Sequence, residues 1–552
     1  MKRIICCVLA VAMMAIMLSG CSLPSFLNYN TWGGAPLEKE SGGLTGGIAG
    51  FSGSPQNYFA DSAMTESDES AYFAMPSSGY EVPIVPVPSF NTEEYDFEKE
   101  NGFRSVAASP FSTFAADVDT ASYSNFRRQV LDDGTVVPDS VRIEEMINYF
   151  RYDYPQPKEG DPFSVTSEIA PCPWNEDAKL LLIGLQAKEL DPESMPQSNL
   201  VFLIDVSGSM DSPNKLPLVQ RSFMTLVENL DENDKVSIIT YAAGEKIVLD
   251  GTPASDKAAI MAAIEELEAY GSTQGDKAMK MAYELARKNF IVGGNNRVIM
   301  ATDGDFNVGI TSEGELTSLI KEEAKSGVFL SVLGYGMGNY KDNKLESMAD
   351  NGNGNYAYID SIDEARKVLI DEAGGTLFTV AKDVKLQVEF NPEKVKGYRL
   401  IGYENRVMAA EDFADDTKDG GEIGAGHQVT ALYEIILADS AFEIQEVESK
   451  YSKRDPAEFD PVGEYLTVNI RYKEPDGDKS TLLEYPVTDE NIVEEMSDNM
   501  SWAAGVAQIG MILKDSEYKG SSEAGEVRER LRAIDGDDFR EEFVYLIRKI
   551  AE

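Results

Sequence analysis

The most constraining stretch of this chain is an apolar run that ends in an acid and two hydroxyls, residues 201–210 (VFLIDVSGSM). A short continuous apolar run is typical of a strand buried on both faces of a sheet. Side chains two apart in an extended chain point the same way, so Asp205, Ser207 and Ser209 converge where this strand ends. Oxygen donors gathered at one point suit a hard divalent cation such as Mg²⁺. A strand followed by a Gly-Ser turn that caps the next helix would show the same pattern.

Two further segments offer oxygen donors at strand ends or loops. Residues 270–273 (YGST) lie between two helical patterns and contribute the hydroxyl of Thr273. Residues 297–303 (RVIMATD) form a second apolar strand pattern that ends in Asp303. Three separate segments therefore present D-x-S-x-S, Thr and Asp in that order.

In this order the motifs resemble the metal-ion-dependent adhesion site (MIDAS) of von Willebrand factor type A (VWA) domains. The resemblance implies that the metal ligands are Asp205, Ser207, Ser209, Thr273 and Asp303. It also implies a divalent cation, with Mg²⁺ expected and Mn²⁺ or Ca²⁺ as alternatives. In related VWA domains the acid of the third loop often acts through a water molecule, and Asp305 is a second acid beside it.

Alternating strand and helix patterns over residues 198–374 predict an α/β fold, with a mostly parallel, Rossmann-like sheet wrapped by helices. This span is the predicted VWA domain. After the 201–204 strand, the spacing of Leu216, Val219 and Phe223 indicates the inner face of a helix. Near the end of the span, Ser361 is predicted to cap a helix, with Glu364 completing a capping box.

The regions on either side, residues 91–197 and 375–552, are predicted to be β-rich (α+β) companion domains. Residues 111–123 (FSTFAADVDTASY) and 426–434 (GHQVTALYE) resemble the N-terminal and C-terminal companion regions of a bacterial family of VWA lipoproteins. Because strand patterns occur on both sides of the VWA span, we expect the two regions to share one β-sandwich. A helix is predicted over residues 120–131, with Arg127 and Arg128 exposed.

The N-terminus carries the pattern of an exported lipoprotein. Lys2 and Arg3 precede an apolar stretch that is short for a membrane span, and residues 18–21 (LSGC) resemble a lipobox. We therefore expect a signal peptide over residues 1–20, lipidation of Cys21, and a disordered Gly/Ser/Pro-rich tether over 21–90. The predicted location is the cell envelope, with the protein facing outward from the cytoplasm and held to the membrane by lipid alone.

Composition excludes some classes of function. The chain has 49 Lys plus Arg against 95 Asp plus Glu, a formal charge of −46, which argues against nucleic-acid binding and against docking on anionic lipid. His427 is the only histidine, so the usual Ser-His, Cys-His and HExxH catalytic arrangements are not expected. After signal cleavage and lipidation, Cys172 would be the only free thiol, so no internal disulfide is expected.

The sequence thus predicts a binding protein rather than an enzyme. Three hydroxyls and two carboxylates can fill five of the six positions around a cation such as Mg²⁺, which leaves one coordination position open to a Glu or Asp of a partner protein. One alternative is a metal-dependent hydrolase, which would want a general base that the missing histidines do not supply. The other is a purely structural envelope protein in which the ion stiffens the loops.

Overall fold

The computed structural model describes residues 98–551, apart from 117–118, 133, 192–194, 273–275, 305–312, 338–341, 419, 445–462, 476 and 478. The predictions for the signal peptide, the tether, Cys21 and Thr273 fall outside the described residues. All described residues lie in one unit, Pro86–Glu552.

The first part of the chain contributes strands and two helices. The strands are β1 (Arg104–Ser105), β2 (Phe111–Ala115), β3 (Phe163–Pro171) and β4 (Lys179–Ala187), and the helices are α1 (Ala121–Asp132) and α2 (Ile143–Asn148). Helix α1 forms because Tyr123, Phe126 and Val130 recur at helical spacing and bury one face.

The middle part alternates strand and helix. The strands are β5 (Ser198–Asp205), β6 (Lys235–Tyr241), β7 (Glu245–Pro253), β8 (Asn295–Thr302), β9 (Phe329–Tyr335) and β10 (Tyr356–Ile359). The helices are α3 (Leu216–Asn229), α4 (Lys257–Glu265), α5 (Asp276–Lys288), α6 (Glu313–Ala324), α7 (Asp342–Asn351), α8 (Ile362–Arg366), which continues as the π-helical turn Lys367–Asp371, and α9 (Ala373–Leu377).

These strands form one sheet in the order β10-β9-β8-β5-β6-β7. The pairings are parallel except for β7, which joins β6 antiparallel at one edge. Every residue of β5 and β8 is buried. Alternate residues of β5 enter different cores, with Phe202 on one face and Val201 and Leu203 on the other. The predicted α/β fold with a mostly parallel sheet covered by helices is confirmed.

The last part of the chain is mainly antiparallel β-structure followed by helices. The strands are β11 (Thr379–Phe390), β12 (Val395–Ile401), β13 (Val407–Met408), β14 (Gly421–Gly424), β15 (Gln428–Leu437), β16 (Glu464–Lys473) and β17 (Ser480–Thr488). The helices are α10 (Asp498–Leu513), α11 (Ala524–Leu531) and α12 (Asp538–Ala551).

Strands from the two flanking regions mix in two antiparallel sheets. One sheet has the order β1-β12-β15-β4-β3, and the other has the order β13-β2-β11-β16-β17, with β14 also paired to β11. Side chains from both sheets fill a single core, including Leu181 and Val429 from the first and Val388 and Val468 from the second. The two flanking regions therefore build a common β-structure, as a shared sandwich requires.

A separate aromatic core joins helices from the two ends of the chain. Phe126 of α1, Trp502 of α10 and Phe543 of α12 are all fully buried in it. The Phe150 ring lies edge-on to Trp502, with ring centroids 5.2 Å apart. Aromatic packing of this kind fixes the N-terminal helices against the C-terminal ones.

Two local expectations were wrong, and one strand was missed. Arg127 and Arg128 are buried, at 3% and 7% exposure, because α1 packs against other parts of the fold on both sides. The Ser361 hydroxyl does accept from the Glu364 amide, but the Glu364 carboxylate accepts instead from Arg127 and Tyr149. Strand β7 was not predicted, since its half-exposed, charged sequence EKIVLDGTP lacks a clear strand pattern.

In the described part of the chain, no helix combines the length and the apolar character needed to cross a membrane.

Candidate metal site

Asp205 is the last residue of β5, and its side chain is fully buried. It lies at the carboxyl end of a strand flanked by β6 and β8, where parallel strands place their loops together. Oδ1 of Asp205 accepts a hydrogen bond of 2.8 Å from the Ser207 amide. Thr302 Oγ1 lies 3.5 Å from Oδ2. The carboxylate is thus fixed in place by neutral groups.

Ser207 and Ser209 present their hydroxyls together beside this carboxylate. Their Oγ atoms lie 3.0 Å apart, with Ser207 buried and Ser209 exposed. The 3₁₀ turn Gly208–Asp211 follows directly and is held by the Met210 amide, which donates to the Ser207 carbonyl. The structure therefore brings together the three D-x-S-x-S side chains that the sequence predicted would converge.

The loop that leads to Thr273 lies against the same turn. The Tyr270 amide donates to the Val206 carbonyl at 2.7 Å, and the Gly208 amide donates to the Gly271 carbonyl at 3.0 Å. A Cβ at Gly208 would come within 3.3 Å of that carbonyl, so this close approach favours glycine. Thr273 itself is outside the described residues. Below, "site loops" means residues 205–211, 270–272 and 302–304.

Asp303 follows β8 and is buried, but it has a partner that the sequence reasoning missed. Nζ of Lys215, just before α3, donates to Asp303 Oδ2 at 2.8 Å, and both side chains are almost inaccessible to solvent. Gly336 makes room for this lysine: at φ +78°, a Cβ there would lie 2.3 Å from Lys215 Cε. The only sequence signal for Lys215 is a lone cation at the start of an apolar helix.

The electrostatics of the site differ between its two acids. Burial raises the pKa of Asp205 to about 6, and the nearby charge of Asp303 adds to this, while hydrogen bonds from Ser207 act in the opposite direction. Burial also raises the pKa of Tyr241, and the Asp205 charge raises it further. Asp303 has the Lys215 ammonium as a counter-charge. Asp205 is therefore the acid that would gain most from a bound cation.

These residues fit a divalent cation. A buried carboxylate and two adjacent hydroxyls are hard oxygen donors of the kind that Mg²⁺ takes. Because Lys215 already bonds one oxygen of Asp303, that acid is better placed to act through water than as a direct ligand. No group of three or more His, Cys, Asp or Glu side chains is arranged to hold a metal ion anywhere in the described residues, so a cation at this site depends on the serine hydroxyls as well as on carboxylate.

Two exposed apolar side chains lie in or near the site loops. Tyr270 is 52% exposed and stands next to Gly271, whose carbonyl contacts the Gly208 amide. Met337 is 45% exposed and follows Gly336, which packs on Lys215.

Comparisons with known protein families agree with this architecture. The von Willebrand factor type A domain model matches residues 199–370, a von Willebrand factor model matches 89–182, and the model for the C-terminal part of the uncharacterised protein YfbK matches 375–552. VWA domains are mainly adhesion and interaction modules, and many bind a metal ion through a MIDAS.

A relative that matches most of the chain shows which family the chain belongs to. The Escherichia coli protein YfbK, described as uncharacterised, is 42% identical over 467 residues, which cover 83% of this chain and 80% of YfbK. The chain belongs to the YfbK family of VWA proteins. The match to the VWA domain ends at residue 370, and the match to the C-terminal part of YfbK begins at residue 375.

More distant likenesses cover parts of the chain. The Synechocystis protein sll0103 is 31% identical over 34% of this chain and 43% of its own length. Among solved structures, a von Willebrand factor type A protein from Catenulispora acidiphila covers 72% of this chain and 91% of its own, at 15% identity and TM-score 0.40. A mussel byssus thread matrix protein with a zinc-occupied MIDAS covers 34% of this chain and 46% of its own, at 23% identity and TM-score 0.27. At these scores the solved structures support no conclusion about the site.

Proposed function

We propose that this chain is a lipid-anchored cell-envelope protein that binds a partner protein through a divalent cation at the site loops. The observation that carries the proposal is the buried Asp205 carboxylate beside the paired hydroxyls of Ser207 and Ser209. Among the described residues, no lysine or arginine forms an ion pair with Asp205. Burying an ionised acid without a counter-charge lowers the free energy of unfolding. Proteins typically tolerate such a loss of stability at functional sites.

The charges at the site favour an acidic ligand. Among the buried charges at the site, Asp205 and Asp303 carry two negative charges and Lys215 carries one positive charge, a net charge of about −1. Mg²⁺ bound there would keep excess positive charge and accept a further oxygen ligand. A Glu or Asp of a partner supplies both the oxygen and the missing charge.

Each of the chain's own residues has a separate role in this binding. Asp205 holds the cation, and the two serines complete its inner side. Lys215 keeps Asp303 turned away from direct ligation, which preserves the need for an external carboxylate. Tyr270 and Met337 provide apolar contact around the point where the partner's acid enters.

Capture of a partner from envelope extract tests the binding function. The purified chain should retain a protein in Mg²⁺ and release it in EDTA, and Asp205→Ala should reduce capture at least tenfold. Asp535→Ala, which removes the same charge from an exposed loop, is the matched control and should capture normally. Capture that is unaffected by both EDTA and Asp205→Ala would refute the proposal.

Anchoring is part of the same proposal and has its own test. The LSGC motif at residues 18–21 supports lipidation of Cys21. Cys21→Ala should move the protein out of the membrane fraction or leave its precursor uncleaved. A mature-length Cys21→Ala chain that still sediments with membranes would rule out the lipid anchor.

A further inference from the structure

An acidic cleft lies away from the site loops, between the start of the described chain, α2, the segment after β12 and the end of α10. It has a volume of about 320 Å³, within the range of small-molecule sites. Its charged lining residues are seven acids and three bases: Glu98, Glu100, Asp139, Glu144, Glu404, Asp515, Glu517, Lys99, Arg142 and Lys514.

Glu144, in the first turn of α2, is the most constrained of these acids. Its side chain is buried, at 6% exposure, and its Oε2 has no hydrogen-bond partner within the described part of the chain. Gly402 packs directly on it: at φ +74°, a Cβ there would lie 2.5 Å from Oε2. A buried carboxylate oxygen left without a donor is uncommon in native proteins and indicates a missing ligand or function.

Glu404 lines the same cleft, close enough to Glu144 for the charge of Glu144 to affect its pKa. Burial, followed by the charge of Glu144, raises the pKa of Glu404 to about 7. Lys514 and backbone amides of Asn101 and Glu404 act in the opposite direction without cancelling the effect. Two neighbouring acids, Glu144 and Glu404, therefore lie together in the cleft.

The basic residues of the lining do not balance its negative charge. Arg142 is bonded elsewhere, to Glu145 at 3.1 Å and to Glu346 of α7 at 2.5 Å. Lys99 is exposed and Lys514 is half-buried at the rim. The cleft keeps a net negative charge that a cation from outside can offset.

We propose that this cleft binds a small organic cation with more than one ammonium or guanidinium group. A metal ion fits less well, because nowhere in the described residues do three acids converge as metal ligands. Acids spread around 320 Å³ suit separated N–H donors instead. Pro138 and Val141 supply apolar wall for the hydrocarbon between the charged groups. The inference is independent of the proposed metal-dependent function.

Calorimetric titration of the purified chain with spermidine and putrescine, at 150 mM NaCl and constant Mg²⁺, tests this site. Both amines should bind saturably with a stoichiometry near one, and 1,4-butanediol, which matches putrescine without its charges, should not bind. Salt at this concentration screens weak association with the acidic surface as a whole. The absence of saturable binding, or equal binding of the diol, would overturn the proposal.

Substitutions test whether spermidine binds in the cleft. Glu404→Gln and Glu144→Gln should each weaken spermidine at least tenfold with native-like circular dichroism. Glu322→Gln, at an exposed position of α6, makes the same charge change and should bind as the wild type does. Asp205→Ala should also bind spermidine normally, which separates this site from the site loops. If Glu404→Gln and Glu322→Gln weakened spermidine binding equally, the amine would be binding to surface charge alone. That result would refute the proposed site in the cleft.

Discussion

Two buried charged clusters in this molecule differ in how their acids are stabilised. At the site loops, the Asp205 carboxylate is held by a backbone amide and lies near hydroxyls. Around Arg127, by contrast, acids and a guanidinium neutralise one another. Arg127 Nε donates to Asp360 at 2.8 Å, Nη2 donates to Glu364 at 2.7 Å, and Nη1 donates to Tyr149 at 3.1 Å.

The Arg127 cluster joins three parts of the fold. Arg127 belongs to α1, Asp360 and Glu364 lie at the end of the parallel sheet and in α8, and Glu542 of α12 adds a further ion pair at 3.2 Å. Tyr149 also donates to Glu364 at 2.7 Å. A cluster whose charges are satisfied internally fixes elements in place, whereas a site with unmet charge remains available to a ligand.

The largest expected effect comes from breaking the satisfied cluster. Arg127→Met should lower the free energy of unfolding by roughly 3–5 kcal/mol, because it leaves buried acids without their counter-charge. Urea denaturation followed by tryptophan fluorescence measures this. Arg532→Met, whose side chain is 66% exposed at the end of α11, should change stability by less than about 0.5 kcal/mol. A loss below about 1 kcal/mol for Arg127→Met would mean that the cluster is not stabilising.

The site loops should respond in the opposite direction. Asp205→Asn keeps an acceptor for the Ser207 amide but removes the buried charge. In EDTA at pH 8 it should raise the free energy of unfolding by up to about 3 kcal/mol, because the folded-state pKa of about 6 exceeds the ordinary 3.8.

The pH dependence follows from the sign of that shift. A raised carboxyl pKa penalises folding only once the group ionises, so the penalty is absent below about pH 4 and develops fully above about pH 6. The advantage of Asp205→Asn should therefore disappear at pH 4. A variant less stable than wild type at pH 8 in EDTA would contradict the comparison.

Lys215→Met tests the ion pair between Lys215 and Asp303. Without the lysine, the negative charge of Asp303 is no longer offset by the ammonium group, so Mg²⁺ affinity should rise about tenfold. Calorimetric Mg²⁺ titration measures the change, with Lys280→Met at an exposed position of α5 as the equal-charge control. Weaker Mg²⁺ binding by Lys215→Met than by the control would show that the lysine does not oppose the ion.

The smallest expected effect concerns Cys172, beside a third charged cluster. Its Sγ lies 3.9 Å from Glu434, which is paired with Arg399. Burial, with the Glu434 charge adding to it, raises the pKa of Cys172 to about 12. The folded chain should therefore not react with a disulfide reagent at pH 8, and dithiothreitol should leave its melting temperature unchanged. Rapid labelling before unfolding would show that this region opens.

Local sequence signals were sufficient for β5 and β8, the two central strands of the parallel sheet. The runs that became β5 and β8 are apolar because both faces of these strands are covered, and the two-residue spacing of Asp205 and Ser207 follows from extended backbone. The burial of Arg127 could not be predicted, since its partner Asp360 is 233 residues away. Lys215 was missed for a similar reason, because its function depends on an acid 88 residues further on.

The mixing of strands from both ends of the chain sets an order of folding. Thr113 of β2 and Gln387 of β11 form a side-chain hydrogen bond across 274 residues of sequence. Contacts between such distant residues form slowly, and a chain that emerges N-terminus first must wait for the later partner. The parallel sheet can therefore be complete while β2 still lacks β11. The antiparallel β-structure is then completed after the parallel sheet, and the aromatic core must wait longer still, for α10 and α12.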